Sequence, residues 1–181
     1  MKKRNLIIGI ILLILTFGCT MQMGNSPTSK VEELLKKYNS NHDIVKGELG
    51  DYLNSLNLDH ETLEIYQEIY LRQYSDLTYE IKDERIDGDR ATVTVQIKVY
   101  DYYSAENLIT NHISTNQRDF YDDDDVYDPI KAKTYRIENL RKVKDKIEYT
   151  IEFTLTKIND EWIVDNLTNE QLDKIHGMYA H

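Results

Sequence analysis

From residue 28 onward the apolar positions hold one period for several turns, change to another, and then change back. Val31, Leu34, Leu35 and Tyr38 recur at the spacing of an amphipathic helix. Ser29, with Glu32 three residues later, forms a capping box, so a first helix is expected over 28–38. The segment "NSNHD" breaks it. A second amphipathic stretch carries Ile44, Val45, Leu49, Tyr52, Leu53 and Leu56, interrupted by Gly47 and Gly50. Asp59 then caps a third helix, "HETLEIYQEIYLRQYSDL", in which Leu63, Tyr66, Ile69, Tyr70 and Tyr74 define a wide stripe, broadened by Ile65 and Leu71. At that spacing the tyrosines read as core packing, not as a ladder for stacking a ligand.

The period then becomes two. Leu77, Tyr79 and Ile81 alternate with Thr78, Glu80 and Lys82, and "DGD" at 87–89 signals a hairpin turn. Ala91, Val93, Val95, Ile97 and Val99 continue the alternation on the returning strand. The pattern comes back in Ile147, Tyr149, Ile151, Phe153 and Leu155, with a turn at "NDE" leading into a last strand, "WIVDNL". Strict alternation places one face on a core and the other in water, which is the signature of an antiparallel sheet. Between the hairpins lie "SAENLITNHISTNQRDF", read as helix, and "IKAKTYRIENLRKVK", where Ile137, Leu140 and Val143 favour helix weakly. A closing helix, "TNEQLDKIHG", has Thr168 and Gln171 as capping box and Gly177 as stop. The expected class is therefore α+β. N-terminal helices pack on one face of a curved antiparallel sheet of two hairpins and four to five strands, with a helical insert and a C-terminal helix.

Ahead of all this stands a different pattern. "MKKRN" carries three positive charges and no negative one, and residues 6–17 are apolar apart from Gly9 and Thr16. That run is shorter than the roughly 20 residues a membrane-spanning helix needs. A charged start, a short apolar run and a small residue before a cut are the parts of a secretory signal. Gly18 is that small residue, and Cys19, the single cysteine, follows it. "LTFGC" resembles the lipobox of bacterial lipoproteins, which implies cleavage after Gly18 and a diacylglyceryl thioether on Cys19. Two acyl chains, at ~0.8 kcal/mol per buried CH₂, hold a protein on a membrane lastingly. The expected organisation is a lipoprotein signal peptide over 1–18, a polar tether over 19–27 and one α+β domain over 28–181. The expected location is the extracytoplasmic face of the cell membrane.

Charge narrows the partners. Removing 1–18 takes away three of the 22 basic residues and none of the 32 acidic ones, leaving 19 against 32 and a net charge of −13. Such a surface is unsuited to nucleic acid, and to lying flat on anionic lipid. Cationic or neutral partners remain open.

"YEIKDERIDGDRATVTVQIKVYDYYSAEN" and "IEYTIEFTLTKINDEWIVDNLTNEQLDKIHGMY" resemble a group of small lipoproteins from low-GC Gram-positive bacteria. Their domain is similar to the nuclear-transport-factor-two-like, or cystatin-like, α+β fold. The resemblance implies a conical fold with a pocket, and it carries no functional residue over, because the matching positions are mostly strand and core.

Candidate chemistry is sparse. "FYDDDDVYDP" puts Asp122, Asp123, Asp124, Asp125 and Asp128 within seven residues. Calcium takes about six to eight oxygen ligands, so these five are candidate metal ligands. They lack the alternate spacing, glycine and closing glutamate of an EF-hand-like loop, and a run of like charge is more often a solvated loop. His42, His60, His112, His176 and His181 contain no pair at the spacing of a zinc helix, and all five read as ordinary packing or surface residues. Asp101 and His112 are the candidate acid–base pair for a conical pocket. Ser104 lacks a nucleophile elbow. Tyr100, Asp101, Tyr102 and Tyr103, with Tyr121 and Tyr127 near the aspartates, form a candidate aromatic–acidic ligand patch. The expected activity is binding without covalent chemistry and without a cofactor. The partners would be the membrane, through the lipid on Cys19, and an envelope protein, small molecule or glycan. An enzyme using Asp101 and His112, and a calcium-ordered module, are the two alternatives.

Overall fold

The computed structural model describes residues 24–40, 42–55 and 58–181. Gly18, Cys19 and the expected leader fall outside the described residues. Six α-helices and four strands are described: α1 (Pro27–Asn39), α2 (Asp43–Ser55), α3 (His60–Ser75), β1 (Thr78–Asp87), β2 (Arg90–Tyr100), α4 (Tyr102–Thr115), α5 (Pro129–Arg141), β3 (Lys146–Ile158), β4 (Glu161–Val164) and α6 (Asn169–His176). A 3₁₀ turn, Gln117–Phe120, follows α4. None of the described helices is long and apolar enough to cross a membrane.

The sheet is antiparallel in the order β1-β2-β3-β4. Both hairpin turns use left-handed backbone. Gly88 has φ +59° between β1 and β2, and Asn159 and Asp160 have φ +49° and +65° between β3 and β4. Two successive positive φ values make a type I′ turn, whose twist matches the flanking strands. Ala91, Val93, Val95, Ile97 and Val99 of β2 are buried against Tyr149, Ile151, Phe153 and Leu155 of β3. The opposite face is polar, and Lys98 there meets Glu148 at 3.4 Å. Helices cover only the apolar face, so the layer order is helix on sheet, with water on the other side. The strand count is four among the described residues, and the expected last strand stops at Val164.

The first helix begins differently from the expected 28–38. Ser26 is its N-cap: its hydroxyl accepts from the Ser29 amide at 3.1 Å, while Ser29 Oγ accepts from the Ser26 amide at 2.9 Å. Pro27 fits the first helical position because its missing N–H would have no partner there. Glu32, read as half of the capping box, instead pairs with Lys36 at 3.7 Å. Asn25, inside the expected tether, ties to the far hairpin: Nδ2 donates to the Asp160 carbonyl and Oδ1 accepts from the Trp162 amide. The Asp59 cap and the Thr168–Gln171 capping box form as expected.

Both expected segments of the insert are mainly helical: the first is α4 followed, after a break at Asn116, by the 3₁₀ turn, and the second is α5, which ends at Arg141 before the expected 142–144. α4 and α5 pair with each other and close over α3 through Ile69, Tyr100, Tyr102, Ile109 and Leu140, a core separate from the main one. Gln73, fully buried on α3, joins three elements. Its Oε1 accepts from the Tyr100 amide at 2.8 Å, and its Nε2 donates to the carbonyls of Tyr100 and Ile175 at 3.4 and 3.3 Å.

Candidate functional site

The predicted acid–base pair is not brought together. Asp101 is the N-cap of α4, its Oδ1 accepting from the Ser104 amide at 3.0 Å. His112 lies eleven residues further along the same helix, about 16 Å away at ~1.5 Å rise per residue. There its ring stacks on Tyr135 at 4.8 Å and meets Phe120 edge-on. One helix holds both residues, and its length keeps them apart.

The predicted tyrosine patch is divided as well. Tyr100 and Tyr102 are buried, Tyr103 is half-buried, and Tyr121 and Tyr127 sit edge-to-face around the aspartate loop. Tyr100 is taken up internally: its hydroxyl donates to Asp76 at 2.6 Å, and the Arg72 guanidinium lies 4.2 Å from its ring. The folding of α4 and α5 onto α3 covers side chains that would otherwise be exposed at a strand end.

In the aspartate loop, Asp122 Oδ1 accepts from the amides of Asp124 and Val126, and Asp128 Oδ1 accepts from the amides of Ile130 and Lys131 as the cap of α5. Asp125 faces Arg118 at 3.8 Å. Two of the five carboxylates are thus occupied in holding the turn and the helix start. Among the described residues no three His, Cys, Asp or Glu side chains converge to hold a metal ion.

What the sequence reading did not single out is a cavity of about 510 Å³ between α2 and α6. Four residues of α2, Val45, Glu48, Leu49 and Tyr52, line one wall, and four of α6, Asn169, Leu172, Asp173 and His176, line another. Tyr38 of α1 and Tyr74 of α3 complete the enclosure, with Leu167 from the approach to α6. The volume lies in the range of small-molecule sites, roughly 300–1,000 Å³. Apolar and aromatic side chains dominate its lining, while Glu48 and Asn169 are exposed and so mark the mouth.

The aromatic wall is ordered by ring contacts. Tyr38 meets Tyr74 edge-on at 5.0 Å. His176 sits among Tyr52, Tyr70 and Tyr74, with ring centroids at 5.1, 5.2 and 5.9 Å. Burial pushes the hydroxyls of Tyr70, Tyr74 and Tyr38 well above the usual phenol range, with Glu48 reinforcing the shift at Tyr74 and Tyr38. These phenols stay neutral, keeping their donor hydrogen.

His176 is the unusual member. It is 5% exposed, and its Nδ1 is a buried polar atom with no hydrogen-bond partner. Buried polar groups nearly always find one, and leaving one bare costs about 1–3 kcal/mol. Burial pushes its pKa down to about 4, so the ring is neutral near pH 7. Asp173, one turn earlier, has its carboxyl raised by burial. Among the described residues, neither Asp173 nor Glu48 has an ion-pair partner, whereas Glu170 on the same helix is paired with Lys174 at 2.7 Å.

The signal for this site was present in the spacing. Positions 45, 48, 49 and 52, and positions 169, 172, 173 and 176, each follow the i, i+3, i+4, i+7 rule for one helix face. The α2 set places Glu48 inside an apolar stripe, and the α6 set puts Asp173 beside Leu172 and one turn from His176.

No family model matches the chain, and no curated protein matches it. Among solved structures it is similar to the crystal structure of a "putative lipoprotein" (ycdA) from Bacillus subtilis subsp. subtilis str. 168. The identity is 18%, the TM-score 0.44, and the match covers 76% of this chain and 45% of that one. This chain thus spans less than half the length of that protein.

Proposed function

We propose that this protein is an extracytoplasmic lipoprotein, tethered to the cell membrane through Cys19, whose domain binds a small molecule without covalent chemistry. The cavity between α2 and α6 carries the reading. It is enclosed by residues from four helices, is of ligand size, and contains a buried polar atom with nothing in the protein to satisfy it. The distance along α4 between Asp101 and His112 favours binding over acid–base chemistry by that pair. The leader pattern and the position of Cys19 support the anchor. The helices on one sheet face are compatible with the nuclear-transport-factor-two-like, or cystatin-like, resemblance, which belongs to the same reading.

The cavity is tested with Nile red, an uncharged apolar fluorophore. The domain should bind it saturably with a blue-shifted emission. Leu172→Trp, which fills the space with an indole, should abolish binding and leave the circular dichroism and melting temperature unchanged. Equal binding by the two proteins would place the dye elsewhere and remove the basis of the proposal. The anchor is tested separately. Cys19→Ala should release the protein from the membrane fraction or leave it unprocessed, and mass spectrometry of the native protein should find a lipid-modified N-terminal cysteine. An unmodified thiol would rule the anchor out.

A further inference from the structure

We infer that the cavity between α2 and α6 selects an organic cation: an ammonium head group at the mouth, between Glu48 and Asp173, carrying an apolar body that lies inward against the tyrosines and His176. The inference rests on the cavity-binding reading and adds the charge of the ligand. Four observations support it.

The lining contains two carboxylates and no lysine or arginine. The two carboxylates stand on the two facing helices and have no ion-pair partner among the described residues, in a domain where salt bridges engage many of the other acidic side chains. Asp173 is half-buried in the cavity wall, burial pushes its carboxyl pKa up, and a cation brought beside it would relieve that cost. The remaining polar surface is neutral and electron-rich. Tyrosine faces attract ammonium groups through the ring quadrupole, and the neutral His176 adds no opposing positive charge. An anionic amphiphile would meet two carboxylates and no compensating base, a sign mismatch that excludes it.

The test uses two compounds of the same shape. (4-Hydroxyphenyl)trimethylammonium and 4-tert-butylphenol differ in replacing a cationic nitrogen by carbon. Each is titrated into the domain by calorimetry at pH 7 and low ionic strength. The cation should bind about tenfold more tightly, the scale of a partly desolvated cation–π contact with carboxylate support. The double variant Glu48→Gln with Asp173→Asn should bring the two compounds to equal affinity while still binding 4-tert-butylphenol. Equal affinities in the unaltered domain, or tighter binding of the phenol, would overturn the cation assignment and leave the cavity reading standing. Binding of neither compound, together with no binding of Nile red, would overturn both.

Discussion

Lowering the pH from 7 toward 4.5 adds a proton to His176 far more readily in the unfolded chain than in the folded one. The folded pKa is about 4 against an ordinary value of 6.5. For a base whose pKa is depressed on folding, the native state is at its full advantage above the unfolded value and loses it as the pH falls through 6.5 toward 4. Each unit of difference corresponds to about 1.4 kcal/mol, so the whole loss is about 3 kcal/mol, with about 2 to 3 kcal/mol of it spent by pH 4.5. The cause is desolvation: the ring is enclosed by Tyr52, Tyr70 and Tyr74, and Nδ1 has no acceptor or donor beside it. Other shifted acids act in a lower window. Glu33 and Asp59 are lowered by their partners and add losses at lower pH, whereas Asp173 is raised and works in the opposite direction. The assay is urea unfolding at pH 7.0, 6.0, 5.0 and 4.5 for the unaltered domain and for His176→Phe, which keeps a ring and deletes the titrating nitrogens. The difference between the two proteins should widen by about 2 to 3 kcal/mol across the series, in favour of the variant. Two stability curves that run parallel from pH 7 to 4.5 would refute the account of His176 as a buried neutral imidazole.

Three further outcomes follow from particular contacts. Gly177→Ala should cost at least about 2 kcal/mol in urea unfolding, because φ is +72° and a Cβ there would lie 2.0 Å from the Tyr100 carbonyl oxygen; a change below about 0.5 kcal/mol would contradict that close approach. Gln73→Leu should destabilise by about 1–3 kcal/mol, since it strips the Tyr100 amide of its acceptor in a buried site. Hydrogen exchange should show that amide losing protection, and unchanged protection would count against the assignment. Millimolar calcium should leave the melting temperature unchanged, because Asp122 and Asp128 are already occupied by backbone amides; a rise that saturates with calcium would demonstrate a site in the loop.

The strands, their hairpin turns, the Asp59 cap and the α6 capping box were legible in the chain because each depends on residues a few positions apart. Alternation reports which side of a strand is apolar, and a capping box closes within one helical turn. The start of α1 was misplaced by the same local logic: two Ser-led boxes overlap there, and Pro27 decides for Ser26. The site was legible only in pieces. Glu48 within the apolar face of α2, and Asp173 beside His176 on α6, are visible in the sequence, yet the two stretches lie more than a hundred residues apart. Spacing along a chain says which face of a helix seeks cover. It does not say which element provides the cover, or whether two covering faces meet or leave a gap. For Tyr100 and Tyr102 the α4–α5 insert closes over the rings and buries them, whereas α2 and α6 stand far enough apart over Tyr74 to leave a chamber with an unpartnered imidazole nitrogen in its wall. That difference is set by how long-range packing fills space around rigid helices, and only the tertiary structure decides it.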